Sequence, residues 1–172
     1  MTTVLIDPTT VAIWEYDGER DTEGWTHESI ETMVARVNRG SALLDEKKPG
    51  WNFDVVPERL DMTSTSLCIV GQVYGDYDEY VGPLFGYDGY GESEQDAIEH
   101  GFITPHEQDE ESDYVPWALM DRVWSYLLEA RSESGESILL ELPAQEPMNI
   151  RTQRLIDEGV LTKKGTPLVS QA

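Results

Sequence analysis

The spacing of apolar positions changes several times along the chain, and each change marks an element. Val4-Leu5-Ile6 and Val11 to Tyr16 are short apolar runs, partly β-branched, with Asp7-Pro8-Thr9-Thr10 between them. That turn chemistry predicts an N-terminal β-hairpin whose second strand ends at Asp17-Gly18. From Ile30 the period lengthens. Ile30, Met33, Val34, Val37, Ser41 and Leu44 recur at helical spacing. Thr26 can cap this helix through its hydroxyl, and Pro49-Gly50 stops it. Gly40 weakens the helix but permits close packing.

Leu60 to Tyr74 fits two patterns. Leu67-Cys68-Ile69-Val70 suits a buried strand, whereas Leu67, Val70, Gly71 and Tyr74 share one helical face. The favoured reading is a short helix capped by Ser64 or Ser66 and ended by Gly75. A second short helix follows from Asp76 to Val81 and is broken by Gly82-Pro83. Gly86, Gly89 and Gly91 mark a loop. Ser93 with Asp96 resembles a capping box opening a helix that ends at His100-Gly101. Thr104 to Ser112 is an acidic connector. Pro116 suits the first turn of a helix striped by Trp117, Met120, Val123, Trp124, Leu127, Leu128 and Arg131. Ile138 to Leu142 reads as a strand. Met148 to Glu158 reads as a short helix, with a turn at Lys164-Gly165. The expected fold is α+β: a mostly helical single domain with an N-terminal β-hairpin and a short C-terminal helix/β appendage. Residues 1–142 form the acidic domain, and 143–172 a linker and mildly basic appendage.

Composition narrows the partners. The chain of 172 residues carries 34 Asp and Glu against 12 Lys and Arg, a formal net charge of −22. A chain this long buries roughly 70% of its unfolded surface, so it can build a core without staples. Its charge argues against direct contact with nucleic acid or anionic lipid, because phosphate neutralisation needs clustered cations. No apolar stretch approaches the ~20 residues that span a bilayer. The N-terminus has no basic start followed by a long apolar run. These features lead to the expectation of a soluble cytoplasmic protein that makes no membrane contact.

The charge is uneven. Between Arg59 and Arg122 there is no Lys or Arg, and the 62 intervening residues hold fifteen acids. Residues 151–172 reverse the balance, with Arg151, Arg154, Lys163 and Lys164 against Asp157 and Glu158.

Catalytic chemistry finds little support. The chain lacks a phosphate-binding loop, a nucleophile elbow, a zinc-protease helix motif and a dinucleotide fingerprint. The run Asp76 to Gly82 superficially resembles a calcium loop, but Val81 stands where glycine is required and Tyr87 where a bidentate glutamate belongs. Cys68 is the single cysteine, which excludes an internal disulfide and any multi-cysteine zinc site. It lies in an apolar run and reads as a small buried hydrophobe. His27, His100 and His106 are the only histidines, and His27 and His100 fall at helix ends. No catalytic residue, cofactor or metal is assigned.

The sharpest interaction signal is aromatic and acidic. Five of the eight tyrosines, Tyr74, Tyr77, Tyr80, Tyr87 and Tyr90, interleave with Asp76, Asp78, Glu79 and Asp88. Tyrosine offers large, stiff contact area with a polar handle, and the acids would steer a basic partner. The competing reading puts the first tyrosines in the core and the acids on a plain solvated face.

Three segments carry a resemblance: Asn38 to Trp51 (NRGSALLDEKKPGW), Leu60 to Gly82 (LDMTSTSLCIVGQVYGDYDEYVG) and Ala97 to Phe102 (AIEHGF). Together they resemble a group of small uncharacterised proteins from actinobacteria and their phages. Those proteins share the Arg-Gly helix end, the Leu-Leu-Asp-Glu run, Pro-Gly-Trp, Cys-x-x-Gly-Gln-x-aromatic-Gly and a closing His-Gly-Phe. The resemblance implies a phage or actinobacterial origin and no catalytic residue. The expected function is that of a non-enzymatic acidic binding protein that engages a basic protein surface, as a DNA mimic or host-protein inhibitor. The alternatives are a virion or assembly component, and an enzyme without a recognisable motif.

Overall fold

The first strand finds its partner at the far end of the chain. Strand β1 (Thr2–Leu5) runs parallel to β2 (Ile138–Glu141), with Thr2 opposite Ile138 and Leu5 opposite Glu141. The structure is a computed structural model and describes residues 1–21, 25–88, 91–105, 117–163 and 166. The expected second strand of a hairpin is instead helix α1 (Pro8–Asp21). Asp7 decides this locally. Its Oδ1 accepts from the N–H groups of Thr9 at 2.7 Å and Thr10 at 3.3 Å, while Pro8 takes the first turn. Val11, Trp14 and Gly18, with Ala12 and Glu15, then face inward at helical spacing.

Helix α2 (His27–Lys47) follows the predicted stripe, and Thr26 Oγ1 accepts from Ser29 N–H at 3.1 Å. Gly50, at φ +81°, turns the chain so that Trp51 drops fully into the core. Two corrections concern caps. Helix α3 (Ile69–Tyr74) is capped by the Cys68 thiol, which accepts from Gly71 N–H at 3.3 Å, and not by Ser64 or Ser66. Ser64 serves the preceding turn, accepting from Leu67 N–H at 3.2 Å. Helix α4 (Tyr77–Leu84) runs through Gly82 and Pro83 and ends just after them, with Phe85 as its C-cap. Helix α5 (Glu94–Glu99) starts after Ser93, but the Ser93 side chain makes no capping bond there.

Helix α6 (Trp117–Ser134) crosses the centre and buries Leu119, Met120, Val123, Trp124, Leu127, Leu128 and Arg131. Trp51 packs edge-on to Trp124, which stacks on Phe102. Gly40 admits the turn after α5. A Cβ there would stand 2.1 Å from the His100 carbonyl oxygen. Helix α7 (Met148–Asp157) lies on α1, where Leu155 and Leu161 form a small cluster with Ala12. The α+β, mostly helical domain expected from the pattern is what the chain forms. Among the described residues, no helix is long and apolar enough to cross a membrane.

Candidate functional site

The segment from Cys68 to Gly75 is accounted for by packing. In Cys68-x-x-Gly71-Gln72-x-Tyr74-Gly75, Cys68 caps α3. A Cβ on Gly71 would stand 2.3 Å from the Thr65 carbonyl oxygen. Gln72 accepts from Val56 N–H at 2.8 Å and donates to the Leu67 carbonyl at 2.9 Å. Gly75 closes the helix at φ +109°. Arg39 donates to the Glu99 carbonyl at 2.7 Å, so the Arg-Gly and His-Gly-Phe segments lock together. These residues hold a scaffold, and they leave little chemistry to spare.

The tyrosine–acid cluster divides on this scaffold. Tyr77 is core, only 5% exposed. Tyr74 is half-buried and stacks on Tyr80 with ring centroids 5.7 Å apart. Asp76 is spent as the α4 cap, accepting from Glu79 N–H at 3.1 Å. Asp78, Glu79, Tyr80 and Asp88 are exposed. Tyr87 is half-buried. The Asp96 carboxylate accepts from its hydroxyl and repels the phenolate, which raises the Tyr87 pKa. Tyr90 lies outside the described residues, as do His106 and most of the acidic connector. Lys48 borders the cluster. It stands 5.2 Å from the Tyr74 ring centroid, donates to the Val73 carbonyl and pairs with Asp54 at 3.0 Å.

Other described cations are also spent on the chain's own acids. Arg131 is buried over Trp51 and grips Asp45 with two nitrogens, at 2.8 and 3.1 Å. Burial pulls the Asp45 carboxyl upward, but bonds from Arg131, Trp51 and Ser137 outweigh it and hold its pKa below the usual range. Arg122 pairs with Asp17 at 2.6 Å over the Trp25 ring. Glu15 is buried between His27 Nδ1 at 3.0 Å and Arg151 at 2.8 Å, beside the Arg154–Glu146 pair. Glu15, His27, Glu146 and Arg151 line a cleft of about 300 Å³ where α1, α2 and α7 meet. Pattern reading missed Glu15, because it placed the residue in a strand and Arg151 in an appendage.

A larger groove was also missed. It holds about 580 Å³ and runs between β1, α1 and α6. One face of α6 lines it at helical spacing: Arg122, Ser125, Tyr126, Glu129, Ala130 and Glu133. This is the face opposite the apolar stripe, and its regular spacing was the available signal. Trp14 and Tyr126 meet edge-on in its wall, with centroids 6.0 Å apart. Tyr126 Oη accepts from Asp7 N–H at 3.0 Å.

Nucleophilic chemistry at Cys68 is opposed by its surroundings. Burial, partly countered by backbone N–H groups, pushes its pKa up to about 11, so it stays a thiol at neutral pH. Among the described residues, no three His, Cys, Asp or Glu side chains are arranged to hold a metal ion. In comparisons with known proteins, no family, no curated protein and no solved structure matches the chain.

Proposed function

We propose that this chain is a non-enzymatic binding protein whose acidic, tyrosine-bearing α4 surface engages a basic protein. The observation that carries this reading is how its charges are distributed. Lys48, Arg122, Arg131, Arg151 and Arg154 each sit on a carboxylate of the chain itself. Asp78, Glu79 and Asp88 are exposed within a stretch that has no Lys or Arg from Leu60 to Asp121. Such a surface raises the local concentration of a cationic partner and speeds its capture. The exposed Tyr80 ring, stacked on Tyr74, supplies a rigid contact at little entropic cost. In its sharper form, the carboxylates stand where DNA phosphates would sit on a nucleic-acid-binding protein of an actinobacterial host. The chain would then act as an inhibitor of that protein.

Charge removal without loss of fold tests the proposal. The triple variant Asp78→Asn, Glu79→Gln, Asp88→Asn is compared with the native chain as bait for actinobacterial lysate proteins at low salt. The native chain is expected to retain a basic protein, and the variant to lose most of it. Equal retention by both baits removes α4 from the interface. Displacement of operator DNA from the captured DNA-binding protein by the native chain, read as released DNA, supports mimicry. Capture that leaves DNA bound rejects it.

A further inference from the structure

Strand β1 is an open edge. In the parallel ladder, Thr2 N–H bonds Ser137 O at 2.9 Å and Ile6 N–H bonds Glu141 O at 2.8 Å. This alternation turns the even residues of β1 toward β2, and the N–H and C=O groups of Thr3 and Leu5 outward. Among the described residues, those outward groups have no hydrogen-bond partner. The opposite edge is closed. The Asn38 carboxamide donates to Leu140 O at 2.8 Å and accepts from Leu140 N–H at 2.9 Å, standing in for a neighbouring strand. With Ile138 also buried on that side, the Thr3 and Leu5 side of β1 is the exposed edge of the sheet.

The groove along α6 is lined from β1 by Val4, which lies between the two outward-facing residues. From Arg122 to Glu133 that helix face extends about 17 Å, the length of about five extended residues. Its free charges are acidic. Glu129 and Glu133 are exposed, and Thr2 Oγ1 donates to Glu136 at the strand's start. Arg122, the one cation lining the groove among the described residues, is held by Asp17. Asp121 is half-buried at one end, and burial raises its pKa although Met62 N–H bonds it. The wall is aromatic, with Trp14 and Tyr126. Acids on an aromatic wall suit a lysine or arginine side chain, whose cation pairs with carboxylate while its stem lies on the rings.

We propose that this groove receives an extended, lysine- or arginine-bearing segment of a protein partner, which adds to β1 as a third strand. Main-chain bonds to Thr3 and Leu5 supply affinity, and alternate cationic side chains meeting Glu129 and Glu133 supply selectivity. A second copy of the chain is the wrong occupant. Its own β1 (Thr2–Leu5) brings no cation, and each copy carries a net charge of −22. The site goes beyond the α4 surface proposed above, and the two readings fail separately.

The probe is a synthetic peptide of about eight residues in which lysine alternates with valine, blocked at both ends. Binding to the full chain is followed by fluorescence, and amide exchange is read at Thr3 and Leu5. On binding, both amides are expected to slow their exchange. Glu129→Gln with Glu133→Gln is expected to weaken affinity by about tenfold. A peptide N-methylated on its bonding edge is expected not to bind, an arm that leaves the protein untouched. The Asp78→Asn, Glu79→Gln, Asp88→Asn variant should bind the peptide within about twofold of the native chain. The proposal is overturned by unprotected Thr3 and Leu5 amides in the complex, or by full affinity in the glutamine variant. It is equally overturned by undiminished binding of the methylated peptide, by loss of binding in the α4 variant, or by no binding to the native chain. Protection that rises with protein concentration alone would assign the edge to a second copy, and also overturns it.

Discussion

Cys68 illustrates how a single side chain is used at the residue scale. Its thiol does more than fill space, since it accepts the Gly71 N–H that opens α3. Cys68→Ala removes that acceptor and should cost about 1 kcal/mol in chemical denaturation, whereas Cys68→Ser should cost less because the hydroxyl can cap. Equal losses would show that volume and not capping matters. Asp45 offers a pH test. Its folded pKa is depressed, so its stabilisation is fully present above the ordinary carboxylate range. That stabilisation is lost as pH falls through the lower folded value. Asp45→Asn should therefore lower stability at neutral pH and flatten the loss on acidification below about pH 4. An unchanged acid limb would remove Asp45 from the account. Gly40→Ala pushes a methyl against the His100 carbonyl and should cost about 2 kcal/mol in thermal or denaturant unfolding.

At the scale of elements, the decisive contact is α7 on α1, through Leu155 and the buried Glu15. Arg151→Met leaves Glu15 in the interior without its strongest partner and should destabilise by about 3 kcal/mol. Adding Glu15→Gln should restore part of that loss, because no uncompensated charge then remains. A double variant as unstable as the single would contradict this. The same elements show what the pattern could carry. Helices α2 and α6 were legible because their apolar stripes are long and regular. Helix α1 was not. Val11 to Tyr16 is too short for period alone to separate strand from helix, and Asp7-Pro8 serves equally as a turn or as a cap with its first helical residue. The parallel pairing of β1 with β2 spans nearly the whole chain, and local pattern carries no record of such a partner. The tyrosine cluster was half legible. Spacing placed Tyr77 inward as readily as outward, and only packing against α3 decided it.

Taken as one molecule, the chain ties five of its described cations to its own carboxylates, while Lys47, Arg59 and Lys163 stay exposed. Arg122, Arg131 and Arg151 tie α6 and α7 to α1 and α2, so the scarce cations act as internal clamps. The net charge of −22 repels itself, and on the proposed function it would steer a cationic protein toward the exposed acids. From composition alone this charge led only to the expectation of no direct phosphate partner. It became a located surface only when the fold separated spent acids, such as Asp45, Asp76 and Glu15, from exposed ones, such as Asp78, Glu79 and Asp88. Only the α6 wall of the groove beside β1 left a signal in the sequence, because the other walls come from elements far apart in the chain. The most direct test of the central claim is the affinity of the purified chain for the basic protein it captures, measured between about 50 and 500 mM KCl. Binding through exposed carboxylates predicts that affinity falls by more than about tenfold over this range, with a smaller fall in the Asp78→Asn, Glu79→Gln, Asp88→Asn variant. Affinity that stays constant across the range would contradict it.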